Sequence, residues 1–140
     1  MIIGFHYHIP AIKNNGFHTT GYIGVFIDSL AKHCKKIICF MHEPNNFELN
    51  QMNYRIKSRN VEIINIGHHD KLYYRLLKGS KYFKEVKRSL DLIDIMLVRA
   101  PTPLIFNLCN EFKKPIVLYL VGSYKEGSKV LSLNFFKNYL

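Results

Sequence analysis

The chain predicts an α/β fold: a Rossmann-like, mostly parallel sheet with helices on both faces. Three observations predict it. Residues 93–98 and 116–121 are short apolar runs, and between them Leu104, Ile105, Leu108, Cys109 and Phe112 recur at helical spacing. A strand, a crossover helix and a second strand are the pattern of a parallel sheet. The chain also opens this way, with apolar residues 2–7, a glycine-containing turn and an amphipathic stretch. Finally, 140 residues with 48% hydrophobic content suffice for one domain with its own core.

The elements follow in order. Residues 2–7 read as a first strand, with Pro10 ending it. The polar segment 13–21, with Gly16 and Gly21, reads as a turn. Ile23, Phe26, Ile27, Leu30, Ala31 and Cys34 then fall on one face of a helix, which Thr19 or Thr20 would cap. Residues 37–41 form a second strand ending at His42, Glu43 and Pro44, and residues 45–59 are polar and irregular. Residues 61–66 form a third strand ending at Gly67, His68 and His69. Over residues 71–90, Leu72, Leu76, Phe83, Val86 and Leu90 make one helical stripe, with Gly79 and Ser80 as a break point. The strand–helix–strand unit follows, with Thr102 expected to cap its helix and Pro103 to open it. The C-terminal stretch reads as weakly helical.

No apolar run is long enough to span a membrane, and the N-terminus lacks the pattern of a signal peptide. Cys34, Cys39 and Cys109 make an odd count without C-x-x-C spacing, which predicts reduced, mostly buried thiols in a reducing, cytoplasmic compartment. The net charge of +10 has two explanations. The chain holds 15 Lys, 12 Asn and 16 Ile, as an A/T-rich gene would encode. An anionic partner is the other. The charge is concentrated, since Lys71, Arg75, Lys78, Lys81, Lys84, Lys87 and Arg88 crowd into residues 71–88. With Tyr73, Tyr74 and Tyr82 beside them, they form a candidate surface for anionic lipid head groups. No RNA-binding aromatic motif or zinc spacing points to nucleic acid.

Ligands in open parallel sheets bind outside the carboxyl ends of the strands. The candidate residues lie there. Gly16, His18, Thr19, Thr20 and Gly21 stand between the first strand and the first helix, where glycines admit a ligand and free amides favour anions. Arg99 and Pro101 follow an apolar strand, and Arg99 is suited to a phosphate or carboxylate. Gly122 and Ser123 end the last strand. His6 and His8 read as packed or hydrogen-bonded side chains rather than a metal pair, since no third ligand accompanies them. His68, His69 and Asp70 read as a solvated loop. The motifs G-x-S-x-G, G-x-x-x-x-G-K and H-E-x-x-H are absent.

The opening strand, its glycine-containing loop and helix, the segment DLIDIMLVRAPTP, and the segment EFKKPIVLYLVGS stand in an order that resembles the N-terminal half of a family 4 (group 1) glycosyltransferase of the GT-B fold. The resemblance covers residues 1–127. It implies an acceptor-side domain facing a nucleotide-sugar-binding domain across a cleft, with no metal and no cofactor held by this chain. It also implies a nucleotide sugar as donor and a saccharide or lipid-linked acceptor. Gly16, His18, Thr19, Thr20 and Gly21 match the cleft loop; Arg99, Pro101, Gly122 and Ser123 match the strand ends. Many relatives carry a His near position 121, where this chain has Val. No donor domain is recognised in the 140 residues, so the isolated chain is expected to be inactive, with a separate donor-domain chain as a partner. The competing expectation is a non-catalytic binding module docked on a partner chain or an anionic membrane.

Overall fold

The computed structural model describes residues 1–69, 71–100 and 102–120. Pro101, Gly122, Ser123, Asp70 and the C-terminal stretch lie outside the described residues, as do the side chains of Leu72 and Leu76.

Seven strands form one mixed sheet: β1 (Ile2–Lys13), β2 (Phe17–Thr19), β3 (Lys36–Glu43), β4 (Tyr54–Arg55), β5 (Val61–His68), β6 (Ile95–Ala100) and β7 (Ile116–Leu120). Five are parallel, in the spatial order β5-β3-β1-β6-β7. The chain therefore winds outward from β1 through β3 to β5. It then returns to the other side of β1 and winds outward again through β6 to β7. The strand order reverses between β1 and β6, the position at which open α/β sheets place a ligand crevice.

Helices cover both faces. On one, α1 (Gly21–Ala31) packs Ile23, Ile27 and Ala31 onto Phe5, Ile37, Cys39 and Met41. On the other, α3 (Gly79–Lys87) and α4 (Leu104–Glu111) bury Phe83, Val86, Leu104 and Leu108 against Ile38, Phe40, Met96 and Val98. Strand residues alternate between these two cores because successive side chains point to opposite faces.

Several expectations are corrected. β1 does not end at Pro10 but runs on to Lys13, where it pairs antiparallel with β2. The register with β3 shifts between His6 and Pro10, so the missing proline N–H falls at an irregularity of the ladder. The segment 13–21 is accordingly a hairpin and a short strand, not an open loop. Residues 45–59 contain a 3₁₀ turn (Asn46–Gln51) and β4, which extends the antiparallel corner. The break expected at Gly79 and Ser80 is present: α2 (Leu72–Leu77) ends before Gly79, and α3 starts there. Cys109 is exposed rather than buried, Cys34 is partly buried, Cys39 is buried, and all three are free. Burial pushes the Cys39 thiol well above its ordinary range.

Candidate functional site

The carboxyl ends of the parallel strands carry the chemistry-bearing side chains, sorted by the sheet onto its two faces. On the α1 face, the parallel registers set Arg99 beside Tyr7 of β1 and opposite Tyr119 of β7. The Arg99 guanidinium carbon lies 4.3 Å from the Tyr7 ring centroid, 5.8 Å from that of Tyr119 and 5.5 Å from that of Tyr22 in the first turn of α1. Stacking on three rings holds the planar cation in place. Its Nε is fully buried and has no hydrogen-bond partner, and no carboxylate lies within salt-bridge distance of it among the described residues. Tyr7 keeps its proton to higher pH than usual because it is buried and hydrogen-bonded with Tyr22, and nearby Arg99 only partly offsets this.

The start of α1 lies at the same end of the sheet. Thr20 is its N-cap, yet the Thr20 hydroxyl makes no capping bond. The residue is only 8% exposed and its Oγ1 is buried without a partner. Thr19 does not cap either, because its hydroxyl donates to the Pro10 carbonyl at 2.9 Å.

On the opposite face, the strand ends bring histidines together. His6 is buried between the Phe40 carbonyl and the Thr102 hydroxyl, each 2.8 Å away. A carbonyl only accepts, so Nδ1 carries the proton and Nε2 accepts from Thr102. Thr102 is thus committed to His6 and does not cap α4, whose N-cap is Pro103. The His42 ring stands 6.3 Å from that of His6, 5.8 Å from that of His69 and 5.1 Å from that of Tyr82. His8 stacks on His69 at 6.1 Å, with its own Nδ1 buried and unpartnered. Burial, with Arg75 and the other imidazoles contributing, pushes His6 and His8 down to about 4 and His42 to about 3. These three rings are therefore neutral near pH 7. His69 Nδ1 pairs with Glu48 Oε1 at 2.5 Å, and Glu48 also accepts from the Asn45 backbone N–H. Among the described residues, no three His, Cys, Asp or Glu side chains are placed to hold a metal ion.

The predicted residues divide accordingly. Thr20 and Gly21 stand at the start of α1, on the face that holds Arg99. Gly16 and His18 do not join them. Gly16 sits at the hairpin tip with φ 125°, where a side chain would meet Arg55 Nε at 2.9 Å, and His18 pairs within the corner with Ile12 and Arg55. His6 is hydrogen-bonded, as expected for a packed histidine. His69 is not a solvated loop residue, because it is clamped between Glu48 and His8. Lys71, Lys78, Lys81, Lys84, Lys87 and Arg88 are exposed, whereas Arg75 is partly buried beside the histidines. Tyr82 leaves the expected lipid surface, being buried against His42 and Gly67.

The clustering of the histidines was missed in the sequence. Its signal was the histidines at or just after the apolar runs of β1, β3 and β5: His6 and His8, His42, and His69. Comparison with protein-family models, with curated proteins and with solved structures finds no match to this chain.

Proposed function

We propose that this chain is the acceptor-side domain of a sugar-nucleotide-dependent glycosyltransferase, with a Rossmann-like sheet of the GT-B kind. The observation that carries the proposal is the strand-order reversal between β1 and β6, where Arg99, whose buried Nε has no hydrogen-bond partner, lies against Tyr22 in the first turn of α1. The resemblance of the strand-end segments supplies the reaction class. A glycosyl group would pass from a nucleotide sugar to a hydroxyl of a saccharide or lipid-linked acceptor. A donor-binding domain outside these residues would stabilise the leaving diphosphate, so this chain alone turns nothing over.

We further propose peripheral contact with the anionic inner face of a membrane. No helix among the described residues is long and apolar enough to cross one. The outer sides of α2 and α3 expose Lys71, Lys78, Lys81 and Lys84, and Tyr73 and Leu77 stand out beside them, 67% and 66% exposed and one helical turn apart. Basic residues near an anionic leaflet contribute about 1 kcal/mol each, and apolar knobs add to this.

The test uses the purified chain with vesicles of neutral or anionic lipid. Co-sedimentation with anionic vesicles that falls with salt, and falls again in K81Q/K84Q and Y73S/L77S, supports the docking. Equal partition onto both vesicle types contradicts it. Release of nucleotide from nucleotide sugars by the chain alone contradicts the assignment of an acceptor-side domain.

A further inference from the structure

The geometry points to a binding site for one phosphoryl group, a phosphate monoester, between Arg99 and the N-terminus of α1. The inference rests on the acceptor-side reading and deepens it, since it names the chemical class bound at the same Arg99 and α1 start.

Two buried polar atoms without a hydrogen-bond partner, Arg99 Nε and Thr20 Oγ1, belong to the groups around the start of α1. Arg99 Nε–H is a donor and nothing else, and it is buried among Tyr7, Tyr22 and Tyr119 without an acceptor. A buried donor left unpaired costs on the order of 1–3 kcal/mol, more when it is charged. Buried polar groups are ordinarily paired, which makes this donor a candidate contact for a bound acceptor. Thr20 Oγ1 is likewise buried and unpartnered, at the one position where a threonine usually bonds its own helix. The first amides of α1 point out of the helix, and the dipole adds partial positive charge. Tyr22 ties these groups together, because it sits in the first turn of α1 and its ring lies against the Arg99 guanidinium.

Everything at this point donates or can donate, so the missing partner is an acceptor with several oxygens. A carboxylate offers two and a phosphoryl group three. The single arginine and single helix start match one phosphoryl group, whereas a diphosphate needs a second cation. His8 does not supply one, because burial and nearby positive charge hold it neutral near pH 7. The site lies at the reversal of strand order, where open α/β sheets take their ligands. Within the transferase reading, the phosphate would belong to the acceptor.

The experiment is a titration of the ¹⁵N-labelled chain, followed by amide NMR, with inorganic phosphate, a hexose 6-phosphate and uridine diphosphate in separate arms. The expected result is saturable shifts at Tyr22, Ile23 and Arg99, with the hexose phosphate binding at least as tightly as the diphosphate. R99Q and T20V should each weaken binding about tenfold, the loss expected for one charge-assisted or buried hydrogen bond. K81Q/K84Q, on the far face, should leave it unchanged. No saturable shift at these amides overturns the site. Equal loss in R99Q and K81Q/K84Q also overturns it, because it reports only diffuse charge. A diphosphate preferred about tenfold or more overturns the monoester assignment. Vesicle binding is read separately, so failure here is distinguishable from failure of membrane docking.

Discussion

His6 Nε2 lies 2.8 Å from the Thr102 hydroxyl, a buried bond that joins the middle of β1 to the entry of α4 across 96 residues of sequence. It lies on the α3–α4 face of the sheet, opposite the face on which Arg99 stacks on its tyrosines. T102V keeps the shape of the side chain and removes the donor, leaving His6 Nε2 buried and unpaired. A loss of about 1–3 kcal/mol is expected, with T102S retaining most of it. Urea denaturation of the two variants checks this, and equal stability of T102V and the parent would contradict it.

Acid should destabilise the fold within a defined window. His6, His8 and His42 have folded-state values of about 4, 4 and 3, below the ordinary 6.5. Between these limits the unfolded chain binds more protons than the folded one, so stability rises with pH. It is fully present above about 6.5 and is lost as pH falls toward about 4, by on the order of 1 kcal/mol per pH unit for each histidine. Melting temperature measured from pH 7.5 to 4.5 should fall steeply below 6.5. H42N should flatten that fall more than H33N, because His33 is exposed.

Gly24→Ala should reverse the usual sign of that exchange. In a helix interior, alanine is favoured over glycine by about 1 kcal/mol. Here a Cβ would clash with the Tyr54 ring, in the contact between α1 and β4. Tyr54 cannot simply withdraw, since its hydroxyl donates to Asp28 at 2.8 Å. A melting temperature lowered by about 5 °C or more is expected. An unchanged or raised one would show that Tyr54 swings away freely.

Asp28→Asn should destabilise by about 1–3 kcal/mol although the shape is conserved. The Asp28 carboxylate accepts from the Tyr54 hydroxyl and from the Lys57 and Ser58 backbone N–H groups. Burial raises its pKa, but hydrogen bonds from Ser58, Lys57 and Tyr54 outweigh this and hold it below the ordinary range. An asparagine offers one acceptor oxygen where the carboxylate offers two. Chemical denaturation checks the loss. D28N should also lose less stability as pH falls below about 4, because the folded parent holds this carboxylate ionised below the pH at which the unfolded chain protonates it.

The parallel strands and their helices were legible because their periodicity is strong. Residues 37–41 and 61–66 fall inside β3 and β5, and the run 93–98 overlaps β6 from Ile95 onward. The antiparallel corner was not, because β2 and β4 are three and two residues long, β2 forms only against the extended end of β1, and β4 forms only against β2. Pro10 misled for a related reason, since a proline ends a regular ladder but fits where the register slips. Arg99 was legible as a cation directly after an apolar strand, whereas its three aromatic neighbours come from β1, α1 and β7. The histidine cluster depends on strand order, which local pattern does not encode. Thr102 shows the limit of capping rules, because a tertiary partner outcompeted the helix for its hydroxyl.

The central claim is that the β1–β6 crevice takes the acceptor while the basic face rests on a membrane. Hydrogen–deuterium exchange of the chain with anionic vesicles, with and without a glycolipid acceptor, tests it most directly. The account predicts protection over residues 71–88 with either vesicle, and additional protection at Tyr7, His8, Tyr22 and Arg99 only with the glycolipid. Protection confined to residues 71–88 in both cases would contradict it, and would leave a membrane-docking module in place of an acceptor-binding domain.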